Sequence, residues 1–228
     1  MIDALRRNPD RLHLGLMLAL TFSTGVIDAV GYLGLDRVFT GNMTGNVVIL
    51  GMALTGADDL PIVGPVIALV LFLAGAAISG RTLRGVPVGW SGRTTVLFTI
   101  VGVLLLAAAV PMLVIPDPVE AVKLAVTGSL GLAMGMQAGA ARQIGVKDVT
   151  TVVVTSTMVG LAFDSVFGAR TKGHPWPRRV LAIVLIGAGA GVGALLLHVH
   201  IGLGMGTAAV ITLIAAVLGH VGRPGPRA

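Results

Sequence analysis

The sequence predicts an all-α fold, a polytopic helical membrane protein of about eight transmembrane helices, six at the fewest, in two duplicated halves. Three observations carry that expectation. The 228 residues are 55% hydrophobic and only 11% charged, with a mean hydropathy of +0.95, whereas a soluble domain carries roughly 25% charged residues. The apolar residues gather into eight runs, each close to the roughly 17–25 residues that a helix needs to cross a bilayer. Similar small-residue motifs recur about half a chain apart. No soluble core of this length needs so much apolar surface, so the bilayer is the expected solvent and backbone polar groups must pair within helices.

In chain order, residues 1–13 carry Arg6, Arg7 and Arg11 and read as a basic cytoplasmic leader. The first apolar run, Leu14–Leu35, is longer than a signal-peptide core of roughly 7–15 residues, so it is expected to stay as a helix. The second span is expected at Arg37–Leu54, followed by a turn at Asp58, Asp59 and Pro61, and the third at Ile62–Gly80. Trp90 in the next loop suits an interfacial anchor. The fourth span, Thr94–Ile115, ends at Pro116-Asp117-Pro118, and Val119–Ala141 is the fifth. The sixth is expected at Val149–Phe167, the seventh at Val180–Leu197 after the most basic loop, and the eighth at Leu203–Leu218. The first membrane repeat then covers residues 14–115 and the second 116–222, with a short tail at 223–228. Eight spans with the N-terminus inside place ten Lys and Arg inside and six outside, a modest bias for the positive-inside rule. The loop Arg81–Arg93 lies on the wrong side in that count, and a short or re-entrant segment would move it inside.

Duplication is suggested by Thr40, Met43 and Gly45 recurring as Thr155, Met158 and Gly160, an offset of 115. Ala74-Gly75-Ala76 recurs as Ala188-Gly189-Ala190 at an offset of 114, and Gly25 with Asp28 matches Gly135 and Gln137-Ala138 at an offset near 110. Four spans per half would make the repeats parallel, and an odd number would invert them. Glycines four apart, such as Gly41 and Gly45, or Gly131 and Gly135, fit close helix packing without any ligand.

The informative stretch is Phe39-Thr40-Gly41-Asn42-Met43-Thr44-Gly45-Asn46, preceded by Gly25-Val26-Ile27-Asp28-Ala29-Val30-Gly31-Tyr32. A charge at membrane depth costs roughly 2.5–3.5 kcal/mol on insertion scales unless protein or water satisfies it. These polar groups are therefore expected to face the bundle interior, mostly buried, with Asn42 and Asn46 on one helical face. Asp28 calls for a proton or a cation, with Arg142 the first candidate partner and Arg37 the second. Asp164, near a span end, needs no more than loop solvation.

These residues, with Thr24-Gly25-Val26-Ile27-Asp28-Ala29, Tyr32-Leu33, Met134-Gly135-Met136-Gln137-Ala138, Arg142 and Asp148-Val149-Thr150-Thr151, resemble the YoaK-like family of bacterial integral membrane proteins, a domain of unknown function. The resemblance covers nearly the whole chain and implies a helical membrane fold. Ala138 departs from the amide that the family pattern places after the glutamine.

Other chemistry finds little support. There is no cysteine, no His-Glu-x-x-His unit, and the five histidines lie at span ends or in loops, so neither a metal site nor a cofactor nor an enzymatic activity is expected. The net charge of +6 resides in the connections and reads as a topology signal, not a nucleic-acid surface. The expected function is a small-solute transporter or permease of the plasma or inner membrane, with a polar site between the repeats. Its candidate residues are Asp28, Tyr32, Thr40, Asn42, Thr44 and Asn46 from the first half, and Gln137, Arg142, Thr155 and Thr157 from the second. The alternative is a non-transporting sensor, assembly factor or partner subunit that uses the same groups as helix glue. The lipid bilayer is the expected partner, with a small molecule or ion as substrate; an oligomer is compatible with the sequence.

Overall fold

The computed structural model describes residues 8–146, 151–152, 154–165, 167–169 and 175–223. Eight helices and no strand occur among them: α1 (Pro9–Gly34), α2 (Met43–Ala53), α3 (Val63–Thr82), α4 (Gly92–Val114), α5 (Glu120–Ile144), α6 (Thr155–Phe163), α7 (Trp176–Leu197) and α8 (Ile201–Gly222). Six are long and apolar enough to cross a membrane. The exceptions are α2, with 11 residues, and α6, with 9. At 1.5 Å per residue they reach roughly half-way through a hydrocarbon core about 30 Å thick. The second and sixth expected spans are thus short helices, and the eight-span count falls to its lower bound of six. Residues 1–7 of the leader, Asp148-Val149-Thr150 of the second-half motif, Arg170 and Lys172 of the basic loop and residues 224–228 of the tail lie outside the described residues.

Close backbone approaches at glycines fix the helix directions. Gly189 lies against Phe22 and Gly193 against Val26, so α7 runs parallel to α1. Gly131 lies against Ala68 and Gly135 against Phe72, so α5 runs parallel to α3. Gly102 meets Leu213 and Gly202 meets Leu113, so α4 and α8 are antiparallel. The turns at 115–119 and 198–200 reverse the chain between α4 and α5 and between α7 and α8. Together these directions make α1 antiparallel to α3, and α5 antiparallel to α7. A chain that leaves α1 and returns in α3 running the opposite way has not crossed in between, so α2 turns back on the side it came from; the same holds for α6.

Helix ends follow local chemistry. Pro9 opens α1, where its missing N–H is no loss. Ser91 and Thr94 form a reciprocal capping box at the start of α4. Gly145, at φ 73°, closes α5 in the left-handed conformation that glycine accepts without penalty. Most of α1 and α5 is buried, whereas α7 is largely exposed, and Val70, Val103, Val184 and Val217 present apolar side chains outward as lipid requires. Trp90 is not an interfacial anchor. It is 5% exposed, stacks between His13 and Phe98, and donates its indole N–H to Thr95 Oγ1 at 2.9 Å.

Asp164 also departs from expectation. Its carboxylate lies 2.7 Å from the Arg179 guanidinium, which donates in addition to the Gly160 carbonyl at the C-terminal end of α6. A cation there meets the negative end of the helix dipole. The ion pair fastens α6 to α7, and its signal in the sequence was opposite charge at the end of one apolar run and the start of the next. Removing one partner of a buried pair costs roughly 3–5 kcal/mol; with Asp164 21% exposed, Arg179→Gln is expected to cost about 2 kcal/mol by the same reasoning. The melting temperature in detergent should fall accordingly, and adding Asp164→Asn should recover part of the loss. An additive double variant would refute the tether.

Candidate functional site

The site begins where α1 ends. Asp36 and Arg37 adopt left-handed backbone, with φ of 61° and 56°, a conformation that non-glycine residues seldom take. They turn the chain back along α1, and the Val38 N–H donates to the Gly31 carbonyl at 3.4 Å. The returning segment Val38–Asn42 is not helical, so its N–H groups need partners that lipid cannot offer. Asp28 supplies them. Its Oδ1 accepts the backbone N–H groups of Thr40, Gly41 and Asn42 at 3.1, 2.7 and 3.3 Å. A side chain at Gly41 would strike Thr24 and crowd the Asp28 carboxylate, so glycine alone lets the segment come this near α1.

The amides complete the fold-back locally. Asn46 accepts the Phe39 N–H at 2.9 Å and donates to the Phe39 carbonyl at 2.6 Å. Asn42 is the N-cap of α2, accepting the Gly45 N–H at 3.2 Å. The two asparagines therefore do not share a helical face, because the helix starts at Met43. Among the described residues neither bonds to another helix, as a role in helix glue would require.

A cavity of about 980 Å³ opens beside this segment, large enough for a small organic solute. Of the sequence-predicted residues, Asp28, Tyr32, Asn42, Thr44, Arg142 and Thr155 line it. Asn42 and Thr44 are exposed within the cavity, correcting the expectation that they would be mostly buried in packed protein. Four others lie off the cavity wall. Asn46 is buried as the clamp on Phe39, and Thr40 is buried with no partner for its Oγ1 among the described residues. Thr157 is buried within the first turns of α6. Gln137 is fully buried and donates to Thr24 Oγ1 at 3.0 Å, tying α5 to α1. Thr24, Phe39 and Ala138, read from the sequence only as motif residues, were not among the candidate site residues. Thr24 sits one helical turn before Asp28, a spacing that could have flagged it; Phe39 stacks on Tyr32 at 4.9 Å.

The predicted ion pairs of Asp28 do not form. Arg37 instead meets Asp58 at 3.5 Å on an exposed surface, a contact worth little. Arg142 has no ion pair or hydrogen bond among the described residues. The reason is helix direction. α1 and α5 meet at Thr24 and Gln137 and run antiparallel, so Asp28 and Arg142 diverge from that contact in opposite directions, by roughly 13 Å along the axis at 1.5 Å per residue. Among the described residues Asp28 Oδ2 accepts no hydrogen bond, and the residue contributes to the cavity wall.

Six long apolar helices, two short ones folded back from opposite ends, and a largely apolar cavity bearing a few polar groups between them define a multi-pass helical membrane protein. The family model described as "Protein of unknown function (DUF1275)" matches residues 16–218, and the chain belongs to that family. It is similar to the UPF0700 transmembrane protein YoaK of Bacillus subtilis (strain 168), 28% identical over 158 residues. That alignment covers 65% of this chain and 65% of the relative, just under two thirds of the relative's length. No solved structure matches the chain.

Proposed function

We propose that the protein is a small-solute transporter or permease of the cell membrane, built as two inverted repeats with its binding site in the cavity between them. The observation that carries this reading is the cavity itself, whose mostly apolar wall takes polar groups from the folded-back segments of both halves, Asn42 and Thr44 from the first and Thr155 from the second. Support for the duplication comes from matched contacts. Gly25 lies against Ile186 as Gly135 lies against Phe72, and the pairs differ by 110 and 114. Gly189 lies against Phe22 as Gly75 lies against Leu132, with the same two offsets. Ser79 donates to the Met136 carbonyl at 2.8 Å, where the equivalent Gly193 meets the Val26 carbonyl. Three crossing helices per half make such repeats inverted, the arrangement in which broken helices meet at a midplane site in secondary transporters.

The six-span path also satisfies the charge rule. Of the ten Lys and Arg among the described residues, only Arg37 and Lys123 fall on the side opposite the start of α1, which supports a cytoplasmic start for α1 and a cytoplasmic end for α8. The absence of native cysteine makes a labelling test simple. Single cysteines at Val88 and Val199, both well exposed, should react with an impermeant maleimide from opposite sides, Val199 with Ala57 from outside. An eight-span path would put Val88 and Val199 on one side.

Transport itself is tested by flux into proteoliposomes, screened across amino acids, sugars, organic acids and inorganic ions. Uptake of a solute that Asn42→Ala or Thr44→Ala reduces roughly tenfold, one lost good contact of about 1.4 kcal/mol, is the expected result. Failure of every class to move, with protein shown to be folded and inserted, would overturn it.

A further inference from the structure

The two halves treat their re-entrant segments differently. In the first, the N–H groups of Thr40, Gly41 and Asn42 receive the Asp28 carboxylate. In the second, the matching positions are Thr155, Ser156 and Thr157, the first turn of α6, and the position matching Asp28 is Ala138 (28 + 110). No carboxylate of α5 is therefore available to that turn, and the N–H groups of Thr155 and Ser156 donate to no described residue. One helical turn beyond Ala138, on the same face of α5, stands Arg142, without a partner among the described residues. Ala138, Arg142 and Thr155 all line the cavity, and so does Asp28, whose Oδ2 is open at the other end.

One cavity thus holds a cation and an anion, contributed by opposite halves and too far apart to neutralise each other. Asp28 Oδ2 lies among apolar helices, where an open carboxylate oxygen is costly, and Arg142 is exposed to the cavity from the last turn of α5; a ligand with complementary charges meets both. Resting on the transport reading above, we propose that the solute is a zwitterion of the amino-carboxylate class. Its carboxylate takes the place that Ala138 leaves vacant, held by Arg142 and the positive end of the α6 dipole. Its ammonium group reaches towards Asp28 Oδ2, over the stacked rings of Tyr32 and Phe39, whose faces attract cations. A simple anion would meet Asp28 and a simple cation Arg142, so both are disfavoured.

The test is binding to the purified full chain, measured by melting shift and by calorimetry. Glycine, β-alanine, 4-aminobutyrate, 5-aminovalerate and 6-aminohexanoate serve as probes, with butyrate and butylamine as singly charged controls. Affinity should peak at a length beyond glycine, with both controls at least tenfold weaker. Arg142→Gln should weaken the best probe roughly tenfold or more, the loss of one charge-assisted contact. The decisive variant is Ala138→Asp, which gives the second half the carboxylate of the first. It should fold, melt at or above the wild-type temperature by capping α6, and no longer bind the probe. If Ala138→Asp folds and still binds the probes unchanged, or if the singly charged controls bind as well as the zwitterions, the inference is wrong. Flux of some other solute class without zwitterion binding would overturn this assignment and leave transport standing; zwitterion binding without flux would do the reverse.

Discussion

Asp28→Ala is expected to reduce the yield of folded protein to near zero. The carboxylate is the single acceptor for three backbone N–H groups of a non-helical segment within the bundle. A buried donor left unsatisfied costs roughly 1–3 kcal/mol, so stranding the buried Thr40 and Gly41 N–H groups costs on the order of 2–6 kcal/mol, the exposed Asn42 N–H adding less. That approaches the whole stability of a typical domain, roughly 5–15 kcal/mol. Asp28→Asn keeps one oxygen in place and should be milder, losing charge assistance but not the acceptor. Fluorescence-detected size-exclusion chromatography of fusion-tagged variants measures this directly. Arg142→Gln should give no rescue of either variant, because the guanidinium lies far along the bundle axis from Asp28. Recovery of yield in the Asp28→Asn, Arg142→Gln double variant would mean that the two charges pair after all.

Gly25→Leu and Gly135→Leu should be nearly as damaging. A Cβ at Gly25 would collide with the Ile186 carbonyl oxygen, and one at Gly135 with that of Phe72. Backbone cannot swing aside as a side chain can, so the cost exceeds ordinary overpacking and is expected at roughly 3 kcal/mol or more. Each variant should melt well below the wild type in detergent, and both together lower still. Gly187→Ala and Gly191→Ala are the controls. They share the glycine run of α7 but have nothing within 4 Å of an added Cβ, so each should gain up to about 1 kcal/mol of helix propensity. Equal melting of Gly25→Leu and the wild type would show that α1 and α7 do not pack as described.

The glycines also mark how far the sequence could be read. Gly187, Gly189, Gly191 and Gly193 look alike in the sequence, yet only Gly189 and Gly193 meet α1. A pattern of small residues records that a close approach is allowed, and the rotation of the helix decides which residues make it. Asp28 was legible as a residue in need of a partner, since a carboxylate among apolar neighbours demands one. Its partner was not, because three backbone amides carry no residue-type signature. Asn42 and Asn46 were assigned to one helical face because the stretch is apolar enough on average to pass as a span. The break at Asn42, where the side chain caps α2, is one hydrogen bond that a hydropathy window cannot register.

The sequence by itself determined that this chain lies in a membrane as a set of apolar helices, where those helices fall, and which polar stretch is special. Each follows from composition and local apolarity, which are properties of short windows. Only the tertiary structure decided that α2 and α6 turn back instead of crossing, that α1 and α5 run in opposite directions past Thr24 and Gln137, and that Asp28 closes a backbone turn while Arg142 lines the cavity with no partner among the described residues. Those outcomes depend on where a non-helical backbone finds acceptors and on which way neighbouring helices point. Both are relations between segments distant in the chain, and hydropathy along it is the same whichever way a helix runs.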